Sequence, residues 1–210
     1  MSWHTDGSQR SFKLSRLTKP EPTLNGVLYR VFPFDPRAQA DAAGGPRYVP
    51  RQRQGVGRHD HPDHYGALYV SRVPESAVAE QIQRFRGQTL TDQDLRLTGG
   101  TRYALATFDD TSLGPVVDLD EPRELVDRQL RPSVVASRDR RVTHAIALRI
   151  FDEGKVGLGW WSTLESSWPN VTLFAERASP LLGLVDTPEP LSVRHPSVQA
   201  AAAAIGVLLG

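Results

Sequence analysis

The sequence contains no cysteine and no long apolar run, and each absence excludes a class of protein. Without cysteine the chain has no disulfide framework, no thiolate nucleophile and no cysteine-ligated zinc or iron–sulfur site. Its most apolar run, residues 200–209, is about half of the roughly 20 residues that a membrane span requires. Residues 1–10 are polar and lack the apolar stretch of a signal peptide. We therefore expect a cytoplasmic protein that does not bind membranes.

Lysine is also scarce, because 22 of the 25 basic residues are arginine. Most of this bias is expected from a GC-rich coding sequence. The formal net charge is only +1, so no overall field attracts a phosphate backbone, which excludes a polybasic nucleic-acid binder. Guanidinium groups nevertheless bind phosphate in a bidentate manner, so a few of the arginines can bind a small anionic ligand.

The chain has 210 residues, which is the length of one domain or of two small ones. Residues 1–24, with Pro20 and Pro22 near their end, predict an N-terminal tail. No linker follows residue 25, so we expect a single domain over residues 25–210. The oligomeric state, a homo-oligomer included, stays open.

Local patterns predict a mixture of strands and helices. Apolar, β-rich segments predict strands at residues 27–32, 67–71, 158–161 and 171–174, and over residues 95–108 around a turn at Gly99-Gly100. Helical spacing predicts helices from Pro74, over residues 120–130 and 141–152, and after His195. Residues 35–57 are rich in Gly and Pro and predict a long loop. Because the elements do not alternate regularly as βαβ units, the pattern indicates an α+β fold.

The segment His59–His64 has the spacing of a metal-ligand string. His59, His61, Asp63 and His64 fit the H-x-H-x-D-H pattern of metallo-β-lactamase-like hydrolases, and their side chains suit zinc. However, polar residues precede the string where that family has a buried strand, and only two further histidines, His144 and His195, follow. We expect a solvated turn and no metal, and keep a metal-dependent hydrolase as an alternative.

Five short motifs, spread along the chain, together form a second pattern. They are Leu28-Tyr29-Arg30, Gly55-Val56-Gly57-Arg58, Ala67-Leu68-Tyr69-Val70-Ser71 with Ala77-Val78-Ala79-Glu80, Gly157-Leu158-Gly159-Trp160-Trp161-Ser162, and Asn170-Val171-Thr172-Leu173-Phe174. In order and spacing they resemble the RES-domain family, from about residue 26 to about residue 184. The chain differs from the family pattern at His59, usually Phe or Trp, and at Trp160, usually Tyr.

The resemblance implies a fold like that of the ADP-ribosyltransferase toxins, a split β core flanked by helices. It also implies activity on NAD, in which the nicotinamide–ribose bond is cleaved and ADP-ribose passes to phosphate, water or a protein. Many family members are toxins whose cognate antitoxin blocks the active site. Because His59 departs from the pattern, a catalytically degenerate domain that only binds NAD is a further alternative.

Two arginines and one carboxylate carry the expected chemistry. By motif, the resemblance assigns NAD binding to Arg30 and Arg58, whose guanidinium forks suit the pyrophosphate. Glu80 is the expected catalytic carboxylate, because cleavage of a glycosidic bond passes through an oxocarbenium-like transition state that a nearby anion stabilises. Arg30 and Ser162 are included in the catalytic set with Glu80.

The remaining assigned residues border the substrate. Tyr69 is expected to lie against the nicotinamide ring. Ser162 is expected to position ribose or phosphate and not to act as a nucleophile, since no His–acid pair is evident to activate it. Asn170 is the last of the residues that the resemblance assigns to NAD binding. We expect the cleft to lie between the strand after Gly26 and the segment that ends at Ser162.

Overall fold

A mixed β-sheet organises the chain in the computed structural model, which describes residues 26–97 and 99–210. The strands are β1 (Val27–Phe34), β2 (Ala67–Ser71), β3 (Thr89–Leu90), β4 (Arg102–Asp109), β5 (Val116–Asp118), β6 (Gly157–Trp161), β7 (Pro169–Phe174), β8 (Gly183–Leu184), β9 (Glu189–Pro190) and β10 (Leu208–Leu209). The α-helices are α1 (Pro74–Ile82), α2 (Pro122–Asp127), α3 (Pro132–Val135), α4 (Arg140–Asp152), α5 (Ala175–Ala178) and α6 (Pro196–Ile205). The predicted tail, residues 1–24, lies outside the described residues.

The main sheet has the strand order β5-β6-β7-β2-β1-β4-β8, and β9 also pairs with β4. Its pairs are antiparallel except for β5 and β6, which run parallel. A separate parallel pair joins β3 to β10 near the C-terminus. This arrangement confirms the predicted α+β class.

Alternation along β1 separates the core into two layers. Leu28 and Phe32 are buried on one face of the sheet. Val31 is buried on the opposite face, in a cluster that includes Val78 of α1 and Val198 of α6. Successive side chains of a strand point to opposite faces, so the parity of a residue in β1 decides which layer it enters.

Helix-start signals in the sequence mark the beginnings of α1, α4 and α6. Pro74 occupies the first turn of α1 and Pro196 that of α6. Backbone N–H groups in the first turn have no partner within the helix, so proline, which lacks an N–H, costs no hydrogen bond there. Asp139 caps α4 by accepting a hydrogen bond from the backbone N–H of Arg141. None of the helices in the described part of the chain is both long and apolar enough to cross a bilayer.

Several predicted elements differ in length from those observed. The turn predicted at Gly99 and Gly100 is confirmed, since these residues adopt φ values of +88° and +84°. Of the residues predicted as strand on either side of it, those from Arg102 form β4, whereas residues 95–97 do not form a strand. The helix predicted over residues 120–130 covers only Pro122–Asp127, and Gln129, at φ +56°, lies beyond its end. The loop at residues 35–57 is confirmed and contains one 3-10 turn, Arg51–Arg53.

Candidate active site

A cleft of about 320 Å³ lies beside α1 and runs from Val31 in β1 to Trp160 in β6. Its volume is within the range of about 300–1,000 Å³ that is typical of small-molecule sites. Four of the six residues singled out in the sequence line it: Arg58, Tyr69, Glu80 and Asn170. The strand order explains why Tyr69 and Asn170 lie close together, since β2 and β7 are neighbours in the sheet, while Glu80 comes from α1 and Arg58 from the loop before β2.

Glu80 is the carboxylate of the cleft, and three side chains donate hydrogen bonds to it. Ser162 Oγ and Asn170 Nδ2 donate to Oε1, at 3.3 and 3.4 Å. Gln83 Nε2 donates to Oε2 at 3.0 Å. Burial raises the pKa of Glu80 above its ordinary value of 4.5, while these donors and the charge of Arg58 oppose the rise. The three donors therefore orient the carboxylate and, with Arg58, limit the rise in its pKa that burial causes.

The amide of Asn170 is oriented by Ser76, which the sequence did not single out. Ser76 is fully buried on α1, and its hydroxyl donates to Asn170 Oδ1 at 2.7 Å. This bond leaves Nδ2 to face Glu80. The signal was the position of Ser76 four residues before Glu80, which places both on one face of a helix.

Ser162 lies behind Glu80 instead of on the cleft surface. It is 1% exposed, and its Oγ accepts a hydrogen bond from the backbone N–H of Leu164 at 3.1 Å. Within the described residues no imidazole contacts this hydroxyl, so nothing there activates it as a nucleophile. Its observed contact is with the carboxylate.

The loop before Arg58 is shaped by Asp60. The Asp60 carboxylate accepts hydrogen bonds from the backbone N–H groups of Gly55 and Gly57 at 2.8 and 2.7 Å, and from the Tyr69 hydroxyl at 2.7 Å. A Cβ at Gly57 would lie 2.6 Å from both Asp60 Oδ1 and the Tyr69 hydroxyl oxygen. Only glycine fits there, and the Tyr69 ring is held at the cleft wall while its hydroxyl is bound to the loop.

Helix α4 holds the other side of the same loop. Its side chains at positions 140, 143 and 144 bind the three consecutive carbonyls of residues 56–58. Arg140 Nε donates to Val56 O at 3.1 Å, His144 Nε2 to Gly57 O at 2.8 Å, and Thr143 Oγ1 to Arg58 O. Because these positions share one helix face, a single helix fixes the backbone that carries Arg58.

The guanidinium of Arg58 is held at the edge of the cleft. Its Nη1 donates to the carbonyls of Ser137 and Val135 at 2.9 and 3.3 Å. Its Cζ lies 5.0 Å from the centre of the Trp160 ring. Burial lowers the pKa of Arg58, and the charge of Arg140 lowers it further.

The two positions that depart from the family pattern contact each other. His59 is 1% exposed and packs edge-to-face against Trp160, with ring centres 5.3 Å apart. Both side chains hydrogen-bond to Thr172 Oγ1, His59 through Nδ1 at 2.8 Å and Trp160 through Nε1 at 3.2 Å. The indole can only donate, so the Thr172 hydroxyl proton is available to a neutral imidazole. Burial keeps the pKa of His59 well below its ordinary value of 6.5.

Arg30, in contrast, is not brought to the cleft. It shares the face of Leu28 and Phe32, and its guanidinium donates to the carbonyls of Pro46 and Tyr48. Burial lowers its pKa to about 10. In the structure Arg30 anchors the long loop against the sheet.

The His59–His64 string does not converge. His59 points to Thr172 and Asp60 to the glycine loop, while the rings of His61 and His64 pack edge-to-face at 4.4 Å. Within residues 26–97 and 99–210, no three side chains of His, Asp or Glu form a group able to hold a metal ion. The turn is also less solvated than predicted, because His59 and Asp60 are buried.

Comparison with known proteins agrees with this fold. A family model described as the RES domain matches residues 27–196. A search of curated protein sequences finds no match. Among solved structures, the crystal structure of the M. tuberculosis MbcT–MbcA toxin–antitoxin complex contains a chain of similar fold, with a TM-score of 0.61 and 19% identity over 85% of this chain and 90% of that one. The sequence resemblance is thereby confirmed: the chain belongs to the RES domain family.

Proposed function

We propose that this RES-domain protein consumes NAD by cleaving the bond between nicotinamide and ribose. The observation that carries the proposal is a cleft in which the Glu80 carboxylate faces the space bordered by Arg58, Tyr69 and Asn170. A dinucleotide needs a cation for its pyrophosphate and an aromatic surface for a base. Its cleavage also needs an anion beside the ribose, where positive charge develops, and a carboxylate supplies it.

In the proposed reaction the bond from ribose C1′ to the pyridinium nitrogen breaks. Nicotinamide leaves with the bonding electron pair and becomes neutral, while positive charge develops on the ribose ring. The ionised carboxylate of Glu80 stabilises that charge. Phosphate, water or a protein side chain then attacks C1′, and a proton is lost from the attacking group when it is water or a hydroxyl.

The neighbours of Glu80 act on its geometry. Asn170 and Ser162 donate to one carboxylate oxygen and Gln83 to the other, so the charge has a fixed direction before substrate binds. Tyr69 cannot donate to substrate without giving up its bond to Asp60, so its ring is the surface offered to the nicotinamide. Arg30 has no contact with the cleft and instead binds the carbonyls of Pro46 and Tyr48 on the other face of the sheet.

We further propose that the protein is a toxin with a cognate antitoxin. Support comes from the solved structure of similar fold, which is a toxin–antitoxin complex.

The proposed reaction is tested by incubating the purified protein with NAD, with and without inorganic phosphate. We expect free nicotinamide, and the second product identifies the acceptor as phosphate, water or protein. NAD binding with no nicotinamide release in either condition would instead support the alternative of a degenerate binding domain.

A further inference from the structure

Arg140 lines the cleft, although neither the motifs nor the proposed chemistry assigns it a role. It is the first residue of α4 and lies at the exposed rim. Its Nε bond to Val56 O fixes the side chain, so the position of its terminal nitrogens is set before any ligand binds.

Arg58 and Arg140 together hold donors that the protein does not use. Within the described residues neither forms an ion pair with a carboxylate. The two terminal nitrogens of Arg140, and Nε and Nη2 of Arg58, have no acceptor there either. Each guanidinium therefore has donors left for a ligand.

The two cations also act on each other electrostatically. The charge of Arg140 is the main charge that lowers the pKa of Arg58, and Glu80 acts in the opposite direction. Two like charges at one wall disfavour the ligand-free protein, and a bound anion removes the repulsion. Arg58 thus lies within electrostatic range of both a second cation and the carboxylate.

We propose that Arg58 and Arg140 form a two-arginine clamp for the pyrophosphate of the dinucleotide. In this orientation the pyrophosphate lies toward α4 and the scissile ribose lies toward Glu80. The clamp rests on the proposed function, which supplies the dinucleotide as its ligand. It also replaces Arg30 by Arg140 as the second phosphate-binding arginine, since Arg30 bonds to the backbone on the other face of the sheet.

The test compares Arg140→Gln with Arg141→Gln. Arg141 is the next residue of α4, pairs with Asp139 and does not line the cleft. Each variant therefore removes one positive charge from the first turn of α4, but only Arg140→Gln changes the cleft. The glutamine at position 140 retains a donor for Val56 O. Binding of inorganic pyrophosphate, ADP-ribose and adenosine is measured by calorimetry, alongside nicotinamide release from NAD.

For Arg140→Gln we expect binding of pyrophosphate and ADP-ribose to weaken by about five- to tenfold, the effect of one partly exposed charged contact. KM for NAD should rise by a similar factor with kcat little changed. Adenosine binding and the melting temperature should stay as in the wild type, and Arg141→Gln should match the wild type throughout.

Two outcomes separate the clamp from the proposed function. If the wild type releases nicotinamide but Arg140→Gln binds pyrophosphate as Arg141→Gln does, the clamp is wrong and the function stands. If pyrophosphate binding depends on Arg140 but no nicotinamide is released, the anion site stands and the function fails. A loss of adenosine binding and of thermal stability together would assign Arg140 a purely structural role and overturn the clamp.

Discussion

At the scale of single residues, His59 and Trp160 show how two departures from a family pattern can be satisfied together. Each brings a ring nitrogen into the interior, and both nitrogens find one hydroxyl, that of Thr172. A buried polar atom without a partner costs about 1–3 kcal/mol, so the shared hydroxyl offsets two such penalties. Neither position separately predicts the contact, because the pairing depends on β7 lying beside β6.

The burial of His59 predicts a pH-dependent stability. Its pKa in the folded protein is depressed, so below about pH 6.5 the unfolded chain binds a proton at His59 while the folded chain does not. The stability it contributes is complete above that pH and is lost as the pH falls. As the pH falls from 6.5 to 5, we expect the free energy of unfolding of His59→Phe to rise relative to that of the wild type by up to about 1.4 kcal/mol per pH unit. Urea denaturation at several pH values measures this, and a pH-independent difference would contradict it.

Arg30 predicts a loss of stability more than a loss of substrate contact. Arg30→Ala leaves the carbonyls of Pro46 and Tyr48 without their donors and opens space against Phe32. We expect the free energy of unfolding to fall by about 2–4 kcal/mol, as measured by chemical denaturation. A variant of unchanged stability that binds NAD poorly would instead place Arg30 on the substrate.

The alternation of side chains along β1 already indicated that Arg30 faces away from the cleft. Arg30 has the parity of Leu28 and Phe32, whereas the cleft takes Val31 from the opposite face. The motif identified Arg30 as significant, and the period of the strand identified its face. Arg140 had no such local signal, since only the folded chain brings the start of α4 to the loop at residues 55–58.

At the scale of elements, that loop is held from both sides. Asp60 binds its N–H groups and α4 binds its carbonyls, so the position of Arg58 is a property of the two segments together. Such a loop keeps its functional side chain in place without contributing apolar burial of its own, as Val56 at its tip is exposed.

Gly57→Ala tests this support. The added Cβ would lie 2.6 Å from Asp60 Oδ1 and from the Tyr69 hydroxyl, so the loop or its partners must shift. We expect a loss of about 1–3 kcal/mol in the free energy of unfolding, together with reduced NAD affinity because Arg58 moves. In Gly183→Ala, the matched control, the nearest atom is 3.7 Å away, and the change should stay within about 0.5 kcal/mol. Equal effects of the two substitutions would show that the loop tolerates displacement.

The longer elements were predictable from the sequence, and the shortest were not. Strands β1, β2, β6 and β7 and helices α1, α4 and α6 follow from apolar spacing and from Pro or Asp at their starts. Strand β5 and helix α3 have three and four residues, which is too few for a period to be recognised. They exist because β5 pairs with β6 and because Val135 is buried in the cluster beneath α4.

At the scale of the whole molecule, the order of motifs along the chain predicted the family and the α+β fold. The motifs also singled out Arg58, Tyr69, Glu80 and Asn170, which come from four segments and line one cleft in the structure. The hydrogen-bond partners of these residues, such as Ser76 for Asn170, depend on packing that no motif encodes.

The most direct test of the account is nicotinamide release from NAD by Glu80→Gln. The matched control is Glu75→Gln, which removes a carboxylate from the first turn of the same helix and does not line the cleft. Burial raises the pKa of Glu80, so its ionisation disfavours the folded state as the pH rises above 4.5. The glutamine variant should therefore melt no lower than the wild type at pH 7.

We predict that Glu80→Gln lowers kcat by roughly 100-fold or more, because the developing positive charge on ribose loses its counter-ion, while Glu75→Gln retains wild-type activity. In the wild type, kcat/KM should rise with pH through an acid limb above 4.5, where Glu80 ionises. A folded Glu80→Gln variant that releases nicotinamide at the wild-type rate would contradict the central claim.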